Sequence, residues 1–350
     1  MMKKLLIPLL LLALLCGCVL EVSPPTAPPA ATAADSGSLT VHFIDVGQAD
    51  CALLECGGES MLIDGGKVDY GDLVVSYLER QGIDSLDIVV STHPPEDHVG
   101  GLGSVLAVFP TARVLSPTTT YSSGCFDDFL YYADQQGLTV EIPQPGDTFS
   151  LGQAEVTVLG PVMSYAETND TSIVLRVALG EDSFLFTGDM ETAAENDMLD
   201  YWGSRIDWNV DVLKVGHHGS NTSTGYRFLY EAAPDYAVIS VGTGNTYGHP
   251  HDEPMSRLHD AGCTIFRTDE LGTILAVTDG KGITLTWEKQ TADPENAEPA
   301  EKVYIGNRNS KKFHLPTCGG LPAEKNRVFF ESFEDATAAG YTPCGTCLGG

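Results

Sequence analysis

Four apolar runs, "LDIVVSTH", "SFLFTGD", "NVDVLKVGHH" and "DYAVISVGTGNTYGHPH", each lead to aspartate or histidine: His93, Asp189, His217 with His218, and His249 with His251. Short β-rich apolar runs of this kind predict buried strands. Loops that follow strand ends are where a rigid sheet can hold ligands at fixed geometry. A single buried aspartate or histidine is usually structural. Four separate strand ends that all deliver donor atoms predict a metal site instead, and imidazole with carboxylate suits Zn²⁺, Mn²⁺ or Fe.

The densest donor cluster is "STHPPEDHVGG", with His93, Asp97 and His98 around the pair Pro94 and Pro95. The body that carries these motifs is expected to run over residues 38–289. Its further strand-like runs are "LTVHFIDV", "CALLECGGESMLIDGG" and "SIVLRVAL", divided by glycine-rich turns. "DLVVSYLERQG" has helical spacing and a glycine stop, and helices are expected around 190–200, 224–233 and 253–261. Mixed strands and helices in one unit of this length predict an α/β sandwich. The 43% hydrophobic content is ordinary for a protein with a real core.

The chain starts with "MMKK" and the apolar run "LLIPLLLLALL", which is too short for a comfortable membrane span. "LCGC" follows and resembles a lipobox, which would make residues 1–18 a signal segment and Cys18 the lipidated residue. Residues 19–37 are a proline, alanine, threonine and serine tether that cannot bury a core. The expected location is therefore the extracellular face of a bacterial membrane, lipid-anchored. That route permits disulfides, but Cys51, Cys56, Cys125 and Cys263 show no framework spacing and read as buried small side chains, with one disulfide allowed.

Residues 290–301 form an acidic, proline-containing linker, and 302–350 a separate small module. The net charge is −29, so the protein repels polyanions at long range unless cations or a local basic patch intervene. The module alone has 6 basic and 4 acidic residues. Its pairs His314-x₃-Cys318 and Cys344-x₂-Cys347 have the spacing of one closed tetrahedral zinc site. Such a small domain gains much of its folding energy from the metal. Arg308, Lys311, Lys312, Lys325 and Arg327 with Tyr304, Phe313, Phe329 and Phe330 read equally as a DNA-facing patch or as a small core with a solvated face.

Together, "HFIDVGQADCALLE", "LIDGG", "THPPEDHVGG", "NDTSIVLR", "FTGD", "LKVGHHGS" and "NTYGHPH" resemble the metallo-β-lactamase superfamily, and within it the hydrolase domain of the ComEC competence proteins. The resemblance implies an αββα sandwich with a two-metal site at one edge. It implies His93, Asp97 and His98 as the first ligand motif, Asp189 as the bridging acid and His249 as the last ligand. His217 and His218 match the paired histidines of that branch, without telling which one faces metal. Asp45 and Asp64 match acids that brace the site, and Asn169 and Ser172 lie where other branches place a histidine.

Two departures are visible: Ala49 replaces a glycine, and Pro95 stands where the family has histidine or aspartate. Proline has no side-chain donor, so the metal held by His93 is expected to be weaker than that held by Asp97, His98, Asp189 and His249. Lys214 is read either as a positive contact for phosphate or as a solvated strand-end lysine. The module resembles the zinc-binding domain of the DNA-repair protein Ada, but His314 stands where that family has its methyl-accepting cysteine, so methyl transfer is not expected.

The function expected from these residues is metal-dependent hydrolysis of phosphodiesters through metal-activated hydroxide, with Asp97, Lys214 and His218 in catalytic roles. One or two Zn²⁺ or Mn²⁺ ions serve the body and a structural Zn²⁺ the module, with no nucleotide cofactor. The expected partner is DNA or another phosphodiester polymer, the leading reading being a nuclease of extracellular DNA. The alternatives are a phosphoesterase of envelope polymers, such as a phosphorylcholine esterase, and a weakened scaffold that binds through its zinc tail.

Overall fold

The computed structural model describes residues 37–289, 304–314, 318, 320–330, 333–345 and 348. The expected signal segment with Cys18, the tether, the linker and Cys347 lie outside them.

The chain first builds β1 (Leu39–Phe43), β2 (Ala52–Cys56), β3 (Glu59–Ile63), β4 (Leu86–Val90), β5 (Thr111–Leu115) and β6 (Val140–Glu141). It then builds β7 (Thr148–Leu151), β8 (Ala154–Gly160), β9 (Val174–Leu179), β10 (Asp182–Phe186), β11 (Val212–Lys214), β12 (Tyr236–Ile239) and β13 (Thr264–Arg267). It returns with β14 (Ile274–Thr278) and β15 (Ile283–Trp287). One sheet has the order β15-β14-β1-β2-β3-β4-β5-β6, the other β13-β12-β11-β10-β9-β8-β7.

Both sheets are covered on both faces, and the period-two alternation of their strands shows it. In the first sheet Leu54, Ile63 and Val90 point between the sheets, where they meet Val156, Leu175, Phe184 and Phe186 of the second. Their neighbours Leu53, Leu62 and Val89 point outward under α1 (Gly71–Gln81), α2 (Glu96–Val99), α3 (Leu102–Val108) and α4 (Gly124–Gln135). Leu185, Leu213, Ala237 and Ile239 of the second sheet pack outward under α5 (Thr192–Trp202), α6 (Tyr226–Ala232) and α7 (Asp252–Asp260). A short α8 (Thr268–Leu271) follows β13. The result is an αββα sandwich, as the resemblance implied.

Helix α1 shows why the sequence reads correctly here. Val74, Tyr77 and Leu78 recur at helical spacing and are its buried side, and Gly82 ends it in the left-handed conformation, φ 80°. Cys51, Cys56 and Cys125 are thiols not joined by a disulfide, and the buried Cys263 thiol donates to the Pro234 carbonyl.

Strand direction positions the site. In the first sheet β3, β4 and β5 run parallel, and in the second β10, β11, β12 and β13 do. In such parallel sheets the ligand site lies beyond the carboxyl ends of the strands. Beyond those ends come Asp64 after β3, His93 after β4, Asp189 after β10, His217 and His218 after β11, and His249 after β12.

In the C-terminal module β16 (Tyr304–Asn307), β17 (Lys312–His314), β18 (Arg327–Phe330) and β19 (Thr342–Pro343) pair in the order β18-β16-β17-β19, with α9 (Phe333–Ala338) beside them. Tyr304, Phe313, Ala336 and Tyr341 pack there with Cys318 and Cys344. Among the described residues no helix is long and apolar enough to cross a membrane.

Candidate metal centre

Donor atoms of Asp97, His98, Asp189 and His218 lie within 4.8 Å of one another. They come from α2, from the turn after β10 and from the turn after β11, so both sheets contribute. His98 Nε2 lies 3.2 Å from Asp189 Oδ1, and His218 Nε2 lies 3.6 Å from Asp97 Oδ2 and 3.8 Å from Asp189 Oδ1. His98 Nε2, His218 Nε2 and Asp189 Oδ1 are nevertheless buried without a hydrogen bond. Buried polar atoms left unpaired cost stability unless something satisfies them. Three such atoms that converge with a fourth donor, the Asp97 carboxylate, fit a divalent cation, and the imidazole and carboxylate set suits zinc or manganese.

The far side of each histidine is fixed by a partner, as ligating imidazoles require. His98 Nδ1 pairs with Asp64 Oδ2 at 2.8 Å, and Asp64 accepts two further bonds from the Thr92 amide and hydroxyl. His218 Nδ1 donates to the Ser240 carbonyl at 2.9 Å and lies 3.1 Å from Asp50 Oδ1. Both rings therefore turn Nε2 toward the cluster. Ser172 Oγ accepts the Asp189 amide and donates to the Asn169 carbonyl, which anchors the turn bearing the acid. Asn169 Nδ2 also donates to Glu191, and so it acts on the surroundings rather than in a ligand position.

A second position is less complete. His93 Nε2 and His217 Nε2 each lie 3.7 Å from Asp189 Oδ2. His93 Nε2 is also buried without a hydrogen bond. Pro95 is at the start of α2, where its carbonyl accepts the His98 and Val99 amides, and it offers no further donor. Thr222 and Glu191 hold the other edge of His217, at 3.2 and 3.5 Å from Nδ1. His217 and His218 both have left-handed backbones, φ 49° and 53°, a conformation that costs a non-glycine residue about 1–2 kcal/mol. This turn sends the two adjacent rings to different positions around Asp189.

The local charges are tightly coupled. Burial opposes ionisation of Asp189, but His98, His218 and His93 hold it well below the usual carboxylate range. Burial works against the charged form of His218 too, yet Asp189 and Asp50 push it up to about 10. For Asp97 the neighbouring His218 and His98 imidazoles overcome burial and bring it to about 2. His93 falls to about 3 through burial and the neighbouring His98, and His249 to about 4 through burial and the charges of His218 and His217. The cluster thus gathers ionised acids that positive charge must offset, which protons or a metal ion can do.

Three expectations need correction. His249 is not in the compact set. Its ring lies 6.4 Å from that of His218, Gln48 contacts its Nδ1, and Asn245 clamps its backbone. His218, delivered by the left-handed turn, takes that place. Lys214 is neither a phosphate contact nor solvated, because it is 4% exposed and its Nζ pairs with Asp50 Oδ2 at 2.8 Å. Asp45 does not brace a ligand. It accepts the Gly47 amide, and its own amide donates to the Thr273 hydroxyl, while Asp50 of the same motif reaches His218. Asp50 is the residue that sequence reasoning missed. Its signal was the second acid of "DVGQAD", two residues before β2. His251 spends both ring nitrogens on the Asn221 amide and the Tyr247 carbonyl.

In the module His314, Cys318 and Cys344 form a second donor group, with His314 Nδ1 3.3 Å from Cys318 Sγ. Tyr304 and Phe313 are core residues there, while Phe329 is 64% exposed beside the basic strands.

The family model of the metallo-beta-lactamase superfamily matches residues 44–243, and that of the metal binding domain of Ada matches 289–348. The chain is 30% identical over 253 residues to ComE operon protein 3 of Bacillus subtilis, covering 67% of this chain and 32% of that protein. It is 32% identical over 227 residues to Recombination protein 2 of Haemophilus influenzae, covering 63% and 26%. The chain thus spans about a third or less of these curated relatives. A solved structure, the metallo-beta-lactamase fold protein YhfI from Bacillus subtilis, aligns with a TM-score of 0.46 at 14% identity, over 66% of this chain and 96% of that one. The chain belongs to the metallo-β-lactamase superfamily, as a metal-dependent hydrolase with an Ada-type metal-binding domain at its C-terminal end.

Proposed function

We propose that the protein is a phosphodiesterase of the ComEC kind, a nuclease that acts on DNA outside the cell from a lipid anchor at Cys18. The observation that carries the reading is the convergence of His98 Nε2, His218 Nε2 and Asp189 Oδ1, all buried and unpaired, on the Asp97 carboxylate. The relative named Recombination protein 2 supports the DNA substrate, and the basic strands of the module with Phe329 support a role for the tail in holding it.

Asp97, His98, Asp189 and His218 would hold the first ion. His93 and His217, with the other oxygen of Asp189, would hold a weaker second one. Such an ion makes hydroxide available near neutral pH and offsets charge on a phosphoryl oxygen. Asp97 is the most exposed of these acids, with 26% of its side chain open against 4% for Asp189, so water and substrate reach the centre on its side. Its carboxylate stays ionised and orients the attacking water as an acceptor. The Lys214–Asp50 pair and Asp64 keep His218 and His98 aimed, so little reorganisation is needed during the reaction.

The test is cleavage of single- and double-stranded DNA by the protein from Glu21 onward with Mn²⁺ or Zn²⁺. Cleavage is expected, and Asp189→Ala should abolish it because both metal positions share that acid. Absence of cleavage, or an Asp189→Ala variant as active as wild type, would overturn the proposal.

A further inference from the structure

A cleft of about 440 Å³ includes the turn that precedes Ser172. Thr171 lines it, next to Ser172, whose hydroxyl holds the Asp189 amide. Ile173 donates to the Thr92 carbonyl, which joins this wall to the strand end that carries His93. Pro117, after β5, Pro161, after β8, and Pro143, Pro145 and Met163 also line it.

Its chemistry contrasts with the rest of the body. The residues lining it include no lysine, arginine, aspartate or glutamate, although the chain as a whole carries a net charge of −29. A phosphate seeks cations and amide donors, and a quaternary ammonium seeks acids or an aromatic cage. A neutral wall of prolines with one ring, Tyr165, offers no charge to either and no cage. It offers proline faces, the ring of Tyr165 and the neutral hydrogen-bonding groups of Thr118, Gln144 and Ser164, and Ile142 and Met163 in its lining are 50% and 53% exposed. The volume falls among small-molecule pockets, roughly 300–1,000 Å³.

We infer that this cleft binds a nucleobase of the substrate strand while the attached phosphodiester reaches the metal centre. This rests on the phosphodiesterase reading and deepens it, because it assigns recognition to the uncharged part of the nucleotide. Base-face contact is tolerant of sequence, so the cleft accepts any of the bases.

The experiment compares the p-nitrophenyl ester of thymidine 5′-monophosphate with methyl p-nitrophenyl phosphate, using the Mn²⁺-loaded protein. The esters share a leaving group and differ only in the nucleoside. Wild type should prefer the thymidine ester, and the double variant Ile142→Ala, Met163→Ala should raise its KM about tenfold with kcat kept, leaving the methyl ester unchanged. Saturation-transfer NMR between thymidine and the Met163 methyl group supplies a second readout that needs no turnover. Turnover of both esters without preference, or equal effects of the variant on both, would overturn the base site alone. Turnover of neither would overturn the phosphodiesterase reading and the base site with it.

Discussion

Asp50 and Lys214 are far apart in the sequence and pair at 2.8 Å in the interior, where they also steady His218. Nothing local in either motif announces this. A strand-end lysine is normally exposed, and "DVGQAD" has two acids of which only one can turn inward. The turn at Gly47, φ 67°, decides the matter, since it leaves Asp45 to cap the Gly47 amide and carries Asp50 under the ligands. Asp64 was easier to read, because an acid directly after a buried strand and before two glycines has few places to go. The pair makes a sharp prediction. Asp50→Ala should cost about 3–5 kcal/mol by stranding a buried charge, as should Lys214→Met, whereas Asp50→Ala with Lys214→Met should cost far less than their sum. Denaturant unfolding of the four proteins in a double-mutant cycle measures this. Metal affinity should also fall about 10–100-fold in Asp50→Ala, because His218 loses the group that aims it.

Among the elements, those with strong periodicity or strong punctuation were legible. Helix α1 and the strands that end in ligands are of this kind. The stretch from β5 to β8 was not assigned from sequence. "SPTTTYSSG" reads as loop, and β6 is only a two-residue strand held by pairing to β5. Helix α4 depends on a serine cap, Ser123, whose hydroxyl accepts the Phe126 amide, and on contacts with α3 that a single sequence does not reveal. A further element-level device lies between α5 and α6. Glu195 of α5 is buried and accepts the Thr224 and Gly225 amides at the start of α6. Burial outweighs these bonds and raises its carboxyl from 4.5 to about 7. The folded state therefore binds this proton more tightly than the unfolded state. Its stabilising contribution is complete below about pH 4.5 and is lost as pH rises through about 7, a change of about 3 kcal/mol. Glu195→Gln keeps an acceptor and removes the titration. The stability difference between wild type and this variant should shift toward the variant from pH 5 to 8, which urea titrations at fixed pH will show. A difference independent of pH would mean that Glu195 remains ionised throughout.

At the scale of the whole molecule, two sheets meet at an edge where Asp50, Asp64, Asp97 and Asp189 gather. The order of ligand motifs made the sandwich legible before the structure did. The share of work among the histidines depended on backbone conformation at His217 and His218, which sequence does not display. A cation that bridges the edge binds the folded state alone, so it stabilises by mass action. At a hundredfold or greater excess over Kd this amounts to about 3–4 kcal/mol, and chelation should lower the thermal midpoint of the body by roughly 10 °C. Asp189→Ala should show almost no response to chelator in the same calorimetric scan. The donors of the compact set come from α2 beside one sheet and from the turns after β10 and β11 of the other. This separation also imposes an order in time. No portion of the chain that stops before β11 holds the full set, and contacts between such distant segments form late in folding. Metal capture therefore waits until the turn after β11 has met α2 across the sandwich, and shorter chains are left without a reactive centre.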